Sequence, residues 1–303
     1  QWQLKQNQIL IQNSVGTWKI HEPIASQKSP LRKKAKIIPV SYYLDAKNAV
    51  RLRIAKYDPQ ETLIIDPVLV FSTYSGSQGD NFGFTATYDT AGCLYAGGIV
   101  EADTRKYPVT TGAFQTTYGG SGAGAPPVQL PCDISISKYS ADGTKLLYAT
   151  YMGGSDDEYP HSLCVDPNNN LLVFGTTLSS DFPVHPDSAF NNVHQKDYDI
   201  FVNKLSVDGT TLLGGTFISG NDADGFQTEN PFTFLLYNYA DNYRGDITTD
   251  LQGNVFVATC TRSTNFPCTK GALQTKPKGE TDAAVICLNG QLSKIKWATS
   301  PTD

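Results

Sequence analysis

The chain has 303 residues, 40% of them hydrophobic, with 16 Tyr, 14 Phe, one Met and a formal net charge of −5. That apolar and aromatic content excludes a disordered chain, and an acidic balance without a basic stripe argues against a nucleic-acid partner. No run approaches the roughly 18 apolar residues of a spanning helix, so no direct membrane span is expected.

In chain order, residues 1–68 hold short β-rich runs: Ile9-Leu10-Ile11, Val15 to Ile20, Ile37 to Leu44, Val50 to Ala55 and Leu63-Ile64-Ile65. Turn signals at Asn13-Ser14, Pro23 to Pro30, Asp45 to Asn48 and Asp58-Pro59 separate them. Val50-Arg51-Leu52-Arg53-Ile54 alternates apolar and basic residues, as a strand with one wet face does. The segment reads as the C-terminal part of a small antiparallel β domain. The basic cluster Arg32 to Lys36 reads as a solvated turn. The chain opens Gln1-Trp2-Gln3, without an initiator Met or a signal peptide, as a processed protein or a piece of a larger one does.

From Asp66-Pro67 onward a set of landmarks recurs three times. Each block has an aliphatic strand ending in an aromatic residue and a Gly-containing turn, then an Asp-marked turn and an aromatic-Pro step. The steps are Tyr107-Pro108, Phe182-Pro183 and Phe266-Pro267; the closing strands are Asp133 to Tyr139, Asp199 to Leu205 and Asp282 to Leu288. A fixed order at a long period marks a repeat architecture. Four short strands per block, joined by Asp-Gly or Asn-Gly turns, make a sheet that buries its faces only by stacking on its neighbours. The expected fold is all-β: a partial β-propeller of about three four-stranded blades. Blades are expected at 69–146, 147–211 and 212–296, with Trp297-Ala298-Thr299 starting a fourth. Since rings begin at about four blades, either further blades or another segment must close this one. Gly119 to Pro131 and Asn221 to Gly245 are inserts.

Several residues attract a functional reading. The insert concentrates Phe232, Phe234, Tyr237, Tyr239 and Tyr243, whose flat rings suit a sugar or a protein partner, or packing over their own blade. Asp222 and Asp224, two apart and followed by Gly225, have a spacing from which oxygen ligands converge on calcium, although the distal Glu of a full calcium loop is missing and a solvated turn is the alternative. Asp133, Asp199 and Asp282 open equivalent strands and could line a channel. Cys260 and Cys268 bracket a reversing segment and could form a disulfide. The other cysteines read as small buried hydrophobes. His21, His161, His185 and His194 have no paired-ligand spacing, and there is no nucleophile elbow or phosphate loop. The chain is therefore expected not to be an enzyme.

Tyr148-Ala149-Thr150-Tyr151-Met152-Gly153-Gly154-Ser155, Thr177-Leu178-Ser179-Ser180-Asp181-Phe182-Pro183 and Asp199-Ile200-Phe201-Val202-Asn203-Lys204-Leu205 resemble the SBBP (seven-bladed β-propeller) repeat. Leu63 to Tyr74 resembles the junction that precedes such repeats in large secreted or cell-surface proteins of Bacteroidetes. The third block departs from the pattern, with Cys287 where the others have Lys138 and Lys204. The resemblance implies a gliding-motility or type IX secretion setting. It also implies a non-catalytic surface or secreted scaffold with protein partners at the cell surface or outer membrane, or else a glycan-binding module. Asp89-Thr90-Ala91 and Asp187-Ser188-Ala189 look like the O-glycosylation acceptor of that group, which would place glycans on Thr90 and Ser188.

Overall fold

The computed structural model describes residues 2–13, 16–27, 35–66, 72–78, 80–101, 107–120, 131–185, 187, 189–195, 197–226, 242–243 and 245–299. They form two compact units, Gln1–Ser72 and Thr73–Asp303. All the regular structure among these residues is β-strand.

The first unit is a set of small antiparallel sheets. Strands β1 (Trp2–Lys5), β2 (Gln8–Asn13) and β3 (Gly16–Ile20) form a meander. Strand β4 (Ile24–Gln27) lies between β5 (Lys36–Ile38) and β8 (Leu63–Asp66), while β6 (Val40–Leu44) and β7 (Val50–Ile54) form a hairpin. Gln27 is buried because its amide works as a clip. It donates to the carbonyls of Asp58 at 2.6 Å and Glu61 at 3.2 Å and accepts the Asp58 N–H at 2.9 Å. In the β6–β7 turn Asp45 Oδ1 accepts the N–H groups of Lys47 and Ala49, and Asn48 takes a positive φ of 58°.

The second unit contains three four-stranded antiparallel sheets. The first holds β9 (Asn81–Tyr88), β10 (Leu94–Glu101), β11 (Cys132–Tyr139) and β12 (Leu146–Met152). The second holds β13 (Glu158–Val165), β14 (Leu171–Thr177), β15 (Asp199–Leu205) and β16 (Leu212–Ile218). The third holds β17 (Asp246–Thr249), β18 (Val255–Thr261), β19 (Asp282–Leu288) and β20 (Ile295–Thr299). Each sheet runs in simple sequence order, and β13 packs against both β9 and β17. The opening strands are thus neighbours, as they are in successive blades.

The sheets are offset by one strand from the blocks read in the sequence. Leu146–Met152 pairs with β11 and completes the first sheet, and Trp297-Ala298-Thr299 pairs with β19 and completes the third. The landmark repeat begins one strand early because a third–fourth hairpin has the strongest turn signal, and sequence alone does not say on which side of it the sheet ends.

Two cores hold the sheets together. Tyr95, Ile134, Ile136, Tyr148 and Met152 of the first sheet meet Leu163, Leu171, Val173, Phe201 and Leu205 of the second. Leu172, Phe174, Ile200 and Val202 on the opposite face of the second sheet meet Val255, Val257, Ile286 and Leu288 of the third. The second sheet is therefore apolar on both faces, and β14 and β15 are buried at every position. Each such side chain contributes about 1.5–3 kcal/mol relative to leaving it exposed.

The turns between first and second strands share one design. The carboxylates of Asp89, Asp166 and Asp250 each accept N–H groups two and four residues ahead: Ala91 and Cys93, Asn168 and Asn170, Gln252 and Asn254. The residue three ahead has positive φ: Gly92 at 82°, Asn169 at 63° and Gly253 at 78°. In the third–fourth turns the left-handed residues are Gly143, Gly209 and, in the third sheet, Leu292 at 62°. In the third sheet the left-handed residue thus falls two positions after Gly290, the glycine of its Asn289-Gly290 pair.

Candidate functional site

The aromatic insert begins and ends on one cluster. Phe226 stacks on Tyr198 with ring centroids 4.4 Å apart, and Tyr243 stacks on Tyr159 at 3.7 Å with planes 14° apart. Phe226 and Tyr243 themselves approach to 5.1 Å, and His161 lies 6.2 Å from Tyr243. Tyr159 comes from β13 and Tyr198 from the approach to β15, so the second sheet supplies the platform. Tyr159 is buried, whereas Tyr198, Phe226 and Tyr243 are half-buried. Burial raises the hydroxyl pKa of Tyr159, Tyr198 and Tyr243, so these rings act as neutral surfaces with a polar edge. Of the aromatics expected to make a ligand contact, Tyr243 is placed here; Phe232, Phe234, Tyr237 and Tyr239 lie outside the described residues.

The same sheets carry buried acids. Asp133, Asp199 and Asp282 stand at the starts of the equivalent third strands, and all three are buried. Asp133 accepts the Gly119 N–H at 2.8 Å. Glu158 accepts the Gly154 N–H at 2.9 Å and the Thr177 hydroxyl at 2.6 Å. The two acids are close neighbours, since a Cβ on Gly153 would fall 2.6 Å from both Asp133 Oδ1 and Glu158 Oε2. That position requires glycine. Burial pushes Asp133 up to about 7 and Glu158 up to about 8. The third sheet repeats the second of these acids with Asp224, which accepts the Gly220 N–H at 2.7 Å and the hydroxyls of Thr261 and Ser263. Burial raises it to about 7.

This geometry separates Asp222 from Asp224. The Asp222 side chain is 43% exposed and lies 3.9 Å from Arg262, while Asp224 is fully buried among hydroxyls. Among the described residues no three His, Cys, Asp or Glu side chains gather as a metal centre would require. The expected disulfide is corrected: Cys260 and Cys268 are both thiols. Cys268 packs on the core between the second and third sheets, whereas Cys260 lies beside Asp224 and is pushed up to about 11 by burial and that carboxylate. Thr90 is exposed, with its hydroxyl 3.3 Å from Asn169 Oδ1; Ser188 lies outside the described residues.

Buried lysines tie neighbouring sheets together. Lys138 on β11 is buried and reaches Asp89 of its own sheet at 3.2 Å, the Tyr95 ring at 4.7 Å and the Val207 carbonyl of the next sheet at 3.3 Å. Lys204 on β15 repeats this, meeting Asp166 at 3.1 Å and the Gly290 carbonyl of the third sheet at 2.5 Å. Each lysine therefore clasps a carboxylate in its own sheet to the hairpin turn of the next. The signal was the recurrence of Lys five residues after the strand-opening Asp, and its replacement by Cys287 in the third block. Spacing alone did not reveal what the ammonium touches.

Residues 1–68 match the model of a domain of unknown function, DUF7948. No curated protein matches the chain.

Proposed function

We propose that the chain is a non-catalytic scaffold of the cell exterior, secreted or held at the surface within a larger assembly of the SBBP-repeat type, and that it acts through protein contacts. The observation that carries this reading is the use of equivalent side chains in successive sheets. Lys138 and Lys204 join sheets, and Asp89, Asp166 and Asp250 close turns, so the repeated polar residues serve architecture. What varies between repeats is the connecting segments, where binding residues commonly reside. The test is photo-crosslinking in native cells from a probe placed at Phe226. A discrete adduct with an envelope protein supports the scaffold. Turnover of a hydrolase substrate by the purified chain, lost in Glu158→Gln with the fold retained, would replace it with a catalytic reading.

A second reading has its own support in the half-buried aromatic cluster of Tyr198, Phe226 and Tyr243. Such faces stack on pyranose rings, and a glycan would then be held at the base of the aromatic insert. Binding to a glycan panel that falls at least tenfold in Tyr243→Ala would favour this reading over a protein partner.

A further inference from the structure

Two acids meet where the first sheet packs on the second. Asp133 lies at the start of β11 and Glu158 opens β13, and both are fully buried. Asp133 Oδ2 accepts the Gly119 N–H, while the Glu158 carboxyl accepts the Gly154 N–H and the Thr177 hydroxyl. Asp133 Oδ1 has no donor among the described residues. It faces the same glycine as Glu158 Oε2, since both oxygens lie 2.6 Å from where a Gly153 Cβ would be. Two carboxyls so close and out of water cannot both stay ionised. The oxygen without a donor therefore marks the place of a proton.

The groups around the pair supply no balancing charge. Ser155 holds Asp181 ionised, its N–H and hydroxyl lowering the pKa of that carboxyl. Asp157 accepts the Cys132 N–H at 2.9 Å, and the Cys132 thiol reaches the Glu158 carbonyl at 3.4 Å. Tyr118 donates its hydroxyl to the Pro131 carbonyl, and burial keeps the Tyr159 hydroxyl neutral. Burial raises Asp133, Glu158 and Asp157 alike, and no described lysine, arginine or histidine acts on any of them. The interface between the second and third sheets is built differently. Asp199 Oδ1 also lacks a donor there, but Ser219 stands in place of Gly153, and His194 lies 4.0 Å from the Asp199 carboxylate. An imidazole is at hand for Asp199, whereas Tyr118 holds the matching place beside Asp133: each precedes the residue whose N–H bonds that acid.

We infer that Asp133 Oδ1 carries a proton, donates it to Glu158 Oε2, and so latches one end of the interface between the first two sheets. Loss of the proton sets two buried negative charges face to face, and the sheets loosen there while Lys138 still clasps the other end of β11. The latch is coupled to the aromatic cluster, because Asp133 follows Cys132, Glu158 precedes Tyr159, and these two neighbours pack with Tyr198 and Tyr243. Control of binding at the cluster rests on its reading as a contact site; the latch itself does not. The closed interface holds the proton more tightly than the open one, so the latch is secure at low pH and lost as pH rises through 7 to 8.

Hydrogen exchange of the full chain, corrected for the intrinsic rate, reads the latch without any ligand. Protection of the Gly119, Cys132 and Gly154 amides should fall at least about tenfold from pH 6 to pH 8, the effect of one proton released on opening. Phe114, whose N–H crosses to the Gly209 carbonyl near the lysine clasp, should keep its protection. Asp133→Asn puts an amide donor where the proton sits and keeps an oxygen for the Gly119 N–H, so its protection should change less than about twofold over the same range. In difference infrared spectra of the wild type, the band of a protonated carboxyl should vanish between pH 6 and pH 8. Should Asp133→Asn not fold, the wild-type exchange and infrared results decide alone. Constant protection in the wild type, an equal fall at Phe114, a fall as large in Asp133→Asn, or no carboxyl band lost would each overturn the proposal.

Discussion

Replacing Lys138 by Met removes one clasp while keeping the aliphatic bulk of the side chain. Lys138 and Asp89 have side chains only 7% and 5% exposed, so the substitution leaves a buried carboxylate without its cation. Breaking a buried pair from one side costs about 3–5 kcal/mol. Asp89 keeps the N–H groups of Ala91 and Cys93 and the Tyr95 hydroxyl, which offset part of that, so a loss of about 2–3 kcal/mol is expected. The chain has three Trp, and Trp2 and Trp18 belong to the first unit. Urea unfolding in a Trp2→Phe/Trp18→Phe background lets Trp297 report the sheets alone. Asp89→Asn combined with Lys138→Met should recover part of the loss, giving a coupling of at least about 1 kcal/mol. A single-variant effect below about 0.5 kcal/mol, or additivity within about 0.3 kcal/mol, would refute the clasp.

Other outcomes follow from the same interfaces. Asp133, Glu158 and Asp224 have folded pKa values raised to about 7, 8 and 7, so their protonation stabilises the folded state. That contribution is full below their unfolded values and is lost as pH rises through 7 to 8. Thermal stability of the second unit should fall between pH 5 and pH 9, and Glu158→Gln should flatten the decline; an unchanged slope would contradict the assignment. Leu292→Gly relieves a left-handed residue worth about 1 kcal/mol but deletes a fully buried side chain worth about 2–5 kcal/mol. Net destabilisation of about 1–4 kcal/mol should appear in the same urea assay, and any gain in stability would refute the packing argument. Unfolding without reductant should release six thiols to Ellman's reagent, and a count of four would restore a disulfide.

The sheet pattern was legible because strand, turn and aromatic-Pro signals are local. Asp89, Asp166 and Asp250 close their turns with bonds inside a few residues, and the sequence shows them directly. Sheet limits were less legible, since the pairing of Leu146–Met152 with β11 depends on which neighbour wins that strand. The clasp was hidden for a different reason: Lys138 reaches Val207, far along the chain, and only tertiary packing brings the turn to it. Tyr243 was singled out for the density of aromatics around it, and it packs in a ring cluster. Its partners Tyr159 and Tyr198 come from other strands, and no spacing rule links them. The Cys260–Cys268 expectation failed because proximity in sequence does not fix where a thiol points: one packs into the inter-sheet core and the other sits by Asp224.

The claim that this chain works as an exterior scaffold is tested most directly by labelling intact native cells with a membrane-impermeant amine-reactive biotin reagent. Lys145 lies in the exposed turn between β11 and β12 and offers a site for the reagent. The account predicts biotin on the Lys145 peptide before lysis, or on the same peptide recovered from the medium. Labelling that appears only after the cells are broken would contradict it.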